Sequence, residues 1–142
     1  MVKTGSNTSF SMGVPTATKT ILKGTAIAGN VITTLTVGTG ERWKLTNINI
    51  TLTTDVTVAN RFCRVTTQDV ANDIIFRNQG SAITASSTES RYFNPNLTAN
   101  NQIYNALGEQ ILEVGEDVLL NITNGVAGDA YDYLVEYLVI RV

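Results

Sequence analysis

Carboxylates are the side chains in this sequence that could catalyse a reaction. Seven of them fall into two groups, which are Glu109, Glu113, Glu116 and Asp117, and then Asp129, Asp132 and Glu136. Two carboxyl groups about 5 to 9 Å apart can hydrolyse a glycosidic bond. Both groups lie around glycines where turns are expected, so we prefer to interpret them as solvated turn residues.

Histidine is absent and Cys63 is the only cysteine. Mechanisms that need an imidazole base are therefore excluded, as are a disulfide framework and a Cys/His zinc site. Cys63 lies between Phe62 and Arg64 in an alternating segment, which is typical of a small buried side chain. We predict that its thiol is inert.

Calcium is the remaining metal to consider, because it accepts oxygen ligands from loops. Asp69 with Asp73, or Asp129 with Asp132, could contribute such ligands. Neither spacing matches an EF-hand loop. The sequence therefore predicts no metal and no cofactor.

Composition indicates one soluble domain. The chain has 142 residues, 43% of them hydrophobic and only 15% charged, with 21 Thr and 14 Asn. A net charge of −2 gives no basic surface for nucleic acid. No apolar run approaches the roughly 20 residues of a membrane helix, and the first residues lack the apolar stretch of a secretory signal. We therefore expect neither nucleic acid nor membrane as a partner.

The segments that could position side chains are strands. Threonine, valine and isoleucine are abundant, and β-branched residues favour strands. Strands are predicted over 26–37, 41–53, 61–68, 118–123 and 131–142, among others. About eight to ten strands with a turn every 8–12 residues predict an all-β fold, an antiparallel two-sheet sandwich.

One predicted strand, 41–53, changes the face that carries its apolar residues. Trp43 and Leu45 are at odd positions, whereas Ile48 and Ile50 are at even ones. Successive side chains alternate between faces, so a change of parity requires an extra residue. We predict a β-bulge near Asn47.

The final strand is apolar on both faces. We expect its core face to be the even positions, Leu134, Leu138 and Ile140. Its odd positions, Tyr131, Tyr133, Val135, Tyr137 and Val139, are apolar as well. Two explanations remain open: the strand is central in a sandwich and partly covered by the protein's own N-terminal segment, or another subunit covers it.

The N-terminal residues differ in composition from the rest. Residues 1–15 are polar, rich in Gly, Ser and Thr, and end at Pro15. We predict an extended N-terminal arm at 1–23, followed by the sandwich domain at 24–142. Removing residues 1–15 should leave a folded domain and weaken assembly. The arm's apolar residues include Phe10, Met12 and Val14.

A stretch from the predicted long strand into the next strand resembles a known pattern. Gly40 to Leu45 reads G-x-x-W-x-L, and Leu52 to Arg61 reads L-T-T-D-x-T-V-x-N-R. The next strand closes on Asp69, and 112–115 and Gly128-Asp129 also look similar. This pattern resembles small structural proteins of tailed bacteriophages, and the likeness covers roughly 38–142.

The resemblance implies a jelly-roll-like sandwich that sits on the virion as a decoration, head-fibre or tail-associated subunit. It implies no catalytic residue. Asp55, Asn60 and Arg61 are expected to be structural, with Arg61 capping Asp55 and Asn60 bonding backbone at the turn.

The expected function is therefore a non-enzymatic virion protein that binds other virion proteins, such as capsid, tail or fibre subunits. We expect a homo-oligomer, for example a trimer. Candidate subunit contacts are Phe10, Met12, Val14, Tyr131, Tyr133 and Tyr137. The alternative is a carbohydrate- or receptor-binding module of a fibre or tail, for which Tyr92, Phe93 and Tyr131 are the loop-adjacent aromatics.

Overall fold

The computed structural model describes residues 17–97 and 103–142, which form ten strands and no helix. None of these residues belongs to a helix able to cross a membrane. The first five strands are β1 (Ala17–Ala26), β2 (Thr33–Thr36), β3 (Glu41–Thr53), β4 (Phe62–Gln68) and β5 (Ile74–Gln79). The other five are β6 (Thr88–Asn94), β7 (Tyr104–Ala106), β8 (Ile111–Leu112), β9 (Asp117–Thr123) and β10 (Ala130–Arg141).

The strands form two sheets that pack into a sandwich. One sheet has the order β2-β9-β4-β5. The other has the order β1-β10-β3-β6-β7, and the short β8 also pairs with β3. All pairings are antiparallel except that of β6 with β7. Apolar side chains from both sheets share one buried core, so the predicted all-β, two-sheet sandwich is confirmed. The jelly-roll connectivity stays a prediction.

The predicted bulge in β3 is present. Glu136 of β10 lies opposite Asn47, whereas the next residue, Tyr137, lies opposite Leu45. Thr46 is therefore the extra residue, and its hydroxyl donates a hydrogen bond of 3.0 Å to the carbonyl of Glu136. Because of this bulge, apolar residues of both parities in β3 face the core.

The expected core face of β10 is wrong. Its odd positions pair directly with the buried residues of β3, as Val139 does with Trp43 and Val135 does with Ile48. Directly paired residues share a face, so the odd positions point into the core. The even positions Leu134, Leu138 and Ile140 are half-buried on the outer face.

The N-terminal segment contributes a strand. β1 pairs with β10 from Ala17 to Ala26, so the expected arm boundary at residue 23 falls inside an edge strand. The strand predicted over 26–37 is only partly present, because bends and turns separate Ala26 from β2. Phe10, Met12 and Val14 lie outside the described residues.

Candidate functional site: a buried arginine cluster

Three loops meet at one end of the sandwich, where β1, β3 and β9 end. They are residues 27–32, 54–60 and 124–129, and we call them together the loop end. Arg61 directly follows the second loop and pairs with Ile83 in an isolated bridge. Asp55 lies two residues after β3, and Asp129 lies one residue before β10. The antiparallel pairing of β3 with β10 therefore brings the two carboxylates to the same place.

The side chains of Asp55, Arg61 and Asp129 form a buried ion cluster, which we call the Arg61 cluster. Arg61 Nε donates to Asp129 Oδ2 at 2.9 Å, and Nη2 donates to Asp129 Oδ1 at 3.0 Å. Nη2 also donates to Asp55 Oδ1 at 2.8 Å. The side chains of Arg61 and Asp129 are 0% exposed, so this bidentate pair is shielded from water.

Backbone groups complete the coordination of Arg61. Its Nη1 donates to the carbonyl oxygens of Thr57 at 2.7 Å and Ala59 at 2.9 Å. A guanidinium has five N–H donors, and here each of the five has an acceptor. No donor is left for a substrate, so the cluster acts as a structural clamp on the loop of residues 54–60.

Asp129 connects this clamp to the other loops. Its carboxylate accepts backbone N–H groups from Asp55 at 2.9 Å and Val126 at 3.0 Å. Burial by itself would raise the pKa of Asp129, but the hydrogen bonds from Arg61 and the two N–H groups outweigh it and lower that pKa. The bond to Asp129 raises the pKa of Arg61, even though burial acts to lower it. Both groups are therefore held in their charged forms.

Glycines allow the loops to approach the cluster closely. A Cβ on Gly128 would collide with the Asp55 carboxylate, and one on Gly29 would collide with the Asp129 side chain. The Asn124 side chain donates to the carbonyl of Asn60 at 3.2 Å. Asn60 therefore joins the expected structural motif through its backbone oxygen, and the loop of 124–129 is tied to that of 54–60.

Each carboxylate considered for catalysis has an ion-pair or hydrogen-bond partner within the protein. Glu109 pairs with Lys44, Glu113 with Arg42 and Glu136 with Lys19. Asp117 and Asp132 accept hydrogen bonds from threonine hydroxyls, and Glu116 accepts the N–H of Glu113. The interpretation as solvated turn residues is wrong for Asp129, which is fully buried because Arg61 neutralises it.

Within residues 17–97 and 103–142, no three Asp, Glu, His or Cys side chains are grouped so as to hold a metal ion. Asp69 instead accepts the N–H groups of Ala71 and Asp73 and shapes their turn. Burial raises the pKa of Cys63 to about 12. The prediction that Cys63 is a small buried side chain is confirmed.

Most of the described aromatic residues that were proposed for contacts are buried in the hydrophobic core. Tyr131 and Tyr137 are buried in the core, where Tyr137 stacks on Trp43 with ring centroids 4.1 Å apart. Buried side chains offer no free surface to another subunit, and only Tyr133 of the three is half-buried. Of the aromatics considered for glycans, Phe93 is buried too. Tyr92 is half-buried and stacks on Tyr104 at 5.3 Å between centroids.

The sequence predicts only one of the two carboxylate partners of Arg61. The bond to Asp55 was expected from their short separation, and it is present. Asp129 lies 68 residues away from Arg61, and the sequence pattern does not connect the two. The signal that could have suggested it is the Gly128-Asp129 dipeptide, in which a glycine permits close approach to a carboxylate.

No protein-family model matches the chain, and no curated protein matches it at a significant level.

Proposed function

We propose that this chain is a non-enzymatic virion structural protein, a capsid decoration or other particle-associated subunit that binds neighbouring subunits. The observation that carries the proposal is a set of exposed aliphatic side chains on the loop end. Ile27 is 85% exposed, Val56 80% and Val58 93%. Val31 and Ile32 of the first loop are about half exposed as well.

The loops that carry these side chains are held in place. The Arg61 cluster and the Asn124–Asn60 bond tie the second loop to the third, and Gly29 packs against Gly125 and Asp129. Apolar residues grouped on a fixed surface indicate an interaction site, whereas scattered ones need no explanation. Loops fixed by a rigid scaffold are also where binding surfaces usually lie.

The loop end carries almost no charge. Residues 27–32 contain no charged side chain, and the acidic residues of the other two loops, Asp55 and Asp129, are bonded to Arg61. An uncharged surface loses little free energy when a partner removes its water. This supports a protein neighbour as the partner. The virion as the place of assembly rests on the resemblance of residues 38–142 to phage structural proteins.

The complete hydrogen bonding of Arg61 and the ion pairs and hydrogen bonds of the carboxylates support a binding role over hydrolysis. General acid–base catalysis needs a carboxyl group free to exchange a proton with a substrate. The buried Asp129 carboxylate instead accepts four hydrogen bonds, two from Arg61 and two from backbone N–H groups.

The proposal is tested on particles of the virus that would carry the chain. Mass spectrometry of purified particles should find the chain in many copies, and the purified chain should co-sediment with particles that lack it. The variant Val56→Ser with Val58→Ser should bind particles at least about tenfold more weakly, because two apolar side chains lose their burial.

A matched control is Val142→Ser, which changes a valine that is 70% exposed away from the loop end. It should bind as the wild type does. A chain that is absent from the particles and does not co-sediment with them would refute the proposal. Equal binding by the loop-end variant and the control would refute the assignment of the contact to the loop end.

A further inference from the structure

The arginines of this chain differ in whether a carboxylate accompanies them. Arg42, Arg61, Arg91 and Arg141 each have a carboxylate oxygen within 3.0 Å. Arg64 and Arg77 have none within the part of the chain that the structure describes, and their hydrogen-bond partners are neutral groups. Arg64 Nη2 lies 3.3 Å from Gln79 Oε1, and Arg77 Nε lies 3.3 Å from Thr66 Oγ1.

These two arginines share the outer face of the four-stranded sheet. Gln79 lies opposite Arg64 and Thr66 lies opposite Arg77, so the two guanidinium groups are diagonal neighbours on β4 and β5. Diagonal residues are about 7 to 8 Å apart, within reach of long side chains. Burial first, and the charge of Arg77 second, lower the pKa of Arg64. The isolated chain therefore holds two like charges together without a counter-charge.

Protection of a sheet edge does not account for both. A charged side chain on an edge strand such as β5 prevents edge-to-edge aggregation, which is a sufficient role for Arg77 alone. Arg64 lies on β4, between β9 and β5, where there is no edge to protect. Its Nε is also buried without a hydrogen-bond partner, so the guanidinium is poorly satisfied in the isolated chain.

Negative charges that could pair with Arg64 and Arg77 are present on another part of the same chain. Twelve acidic residues are present, and five of them form no ion pair with any residue that the structure describes. All but one of these five lie at a single end of the sandwich. The four at that end, which we call the acidic end, are Asp69, Asp73, Glu116 and Asp117. Their two loops touch, since Val70 packs 3.0 Å from where Gly115 would carry a Cβ.

The acidic end also exposes apolar side chains. Val70 is 72% exposed, and Val114, Ile74 and Ile75 are each about half exposed. Apolar residues bordered by charges are the usual composition of a protein–protein contact, with the charges at the rim. The net charge of −2 is small, so repulsion between copies is weak.

We propose that Arg64 and Arg77 bind the acidic end of a second copy of this chain. Guanidinium groups pair with carboxylates in fixed geometry, so the contact also sets the orientation of the two copies. This inference deepens the proposed function as an assembling subunit and rests on it for its biological setting. The charges that meet come from different surfaces of the two copies.

The test is sedimentation of the full-length protein in about 20 mM and about 500 mM salt, because salt at the higher concentration screens surface charges. The wild type should self-associate at low salt and dissociate at high salt. Arg64→Gln with Arg77→Gln should weaken association about tenfold or more. Lys23→Gln is the matched control, because Lys23 is the other described cation without an ion pair, and it should leave association unchanged.

Charge-reversal variants test the proposed contact more stringently than neutral ones. Arg64→Glu with Arg77→Glu, and separately Asp73→Lys with Glu116→Lys, should each abolish self-association while circular dichroism shows a folded protein. A mixture of the two variants should associate again, since each supplies the charge that the other now lacks.

Three outcomes would overturn the proposal. They are a wild type that is monomeric at concentrations up to about 1 mM, association that the arginine variants leave unchanged, and a mixture that fails to associate. A monomer that instead binds polyglutamate or polygalacturonate would assign the arginines to a foreign acidic partner and also refute it. Particle binding without self-association would retain the proposed function and reject this inference, whereas self-association of a chain absent from particles would do the reverse.

Discussion

Replacing Arg61 by methionine should cost this protein a large part of its stability. The change leaves the Asp129 carboxylate, which is 0% exposed, without its counter-ion and removes five hydrogen bonds. Removing one partner of a buried ion pair lowers the free energy of unfolding by about 3 to 5 kcal/mol. A domain of this size has about 5 to 15 kcal/mol in total. The melting temperature should fall by roughly 10 °C or more.

The loss should also depend on pH. In the wild type the pKa of Asp129 is lowered, so its charged form stabilises the fold above the ordinary pKa of about 3.9 and this contribution disappears as the pH falls. In Arg61→Met, burial without a counter-ion raises that pKa, so the variant gains stability when Asp129 is protonated. The stability difference between the two proteins should therefore shrink from pH 7 towards pH 4.

Urea unfolding followed by the fluorescence of Trp43, at neutral pH and near pH 4.5, measures both effects. Arg77→Met is the control, because it removes an exposed arginine that has no carboxylate partner, and it should change stability by no more than about 0.5 kcal/mol. A loss below about 1 kcal/mol for Arg61→Met, or a difference that stays constant with pH, would refute the role given to the cluster.

Two further predictions concern close contacts and burial. Gly128→Ala should destabilise the fold by about 1 to 3 kcal/mol, because the new methyl group meets the Asp55 carboxylate. Gly38→Ala, whose Cβ would have no neighbour nearer than 3.6 Å, should be almost neutral in the same denaturation assay. Cys63 should not react with a thiol reagent at pH 8 in the folded protein, since its pKa is about 12, and it should react at once in urea. Rapid labelling of the native protein would contradict its burial.

Local patterns in the sequence predicted local structure well. The β3 bounds at Glu41–Thr53 agree with the predicted strand, and the parity change between Leu45 and Ile48 located the bulge within one residue of Thr46. Both are properties of a single strand, and the alternation of side chains encodes them directly. The short separation of Asp55 and Arg61 in the sequence likewise predicted one of the two ion pairs in the Arg61 cluster.

Properties that depend on pairing could not be obtained in this way. β10 is apolar at odd and even positions, so alternation alone does not say which set faces the core. That choice is made by β3, whose buried Trp43 and Ile48 lie opposite Val139 and Val135. The bond between Arg61 and Asp129 also depends on the pairing of β3 with β10, because that pairing brings together residues 68 positions apart. Long-range partners of this kind leave no periodic signal in one sequence.

The contrast between the Arg61 cluster and the Arg64–Arg77 pair connects the two proposals. Apolar attraction has no direction, so by itself it would draw exposed side chains such as Ile27 and Val58 towards the core. Ion pairs and hydrogen bonds are directional, and the five bonds of Arg61 fix the second loop with its valines in solvent. A contact surface fixed before binding loses less entropy when its partner arrives. Arg64 and Arg77 leave their charge unmatched on another face, where only a partner can supply the carboxylates. The paired charges of the Arg61 cluster thus fix the loops of one candidate interface, the loop end. The unpaired charges of Arg64 and Arg77 indicate a second candidate interface on the outer face of the four-stranded sheet.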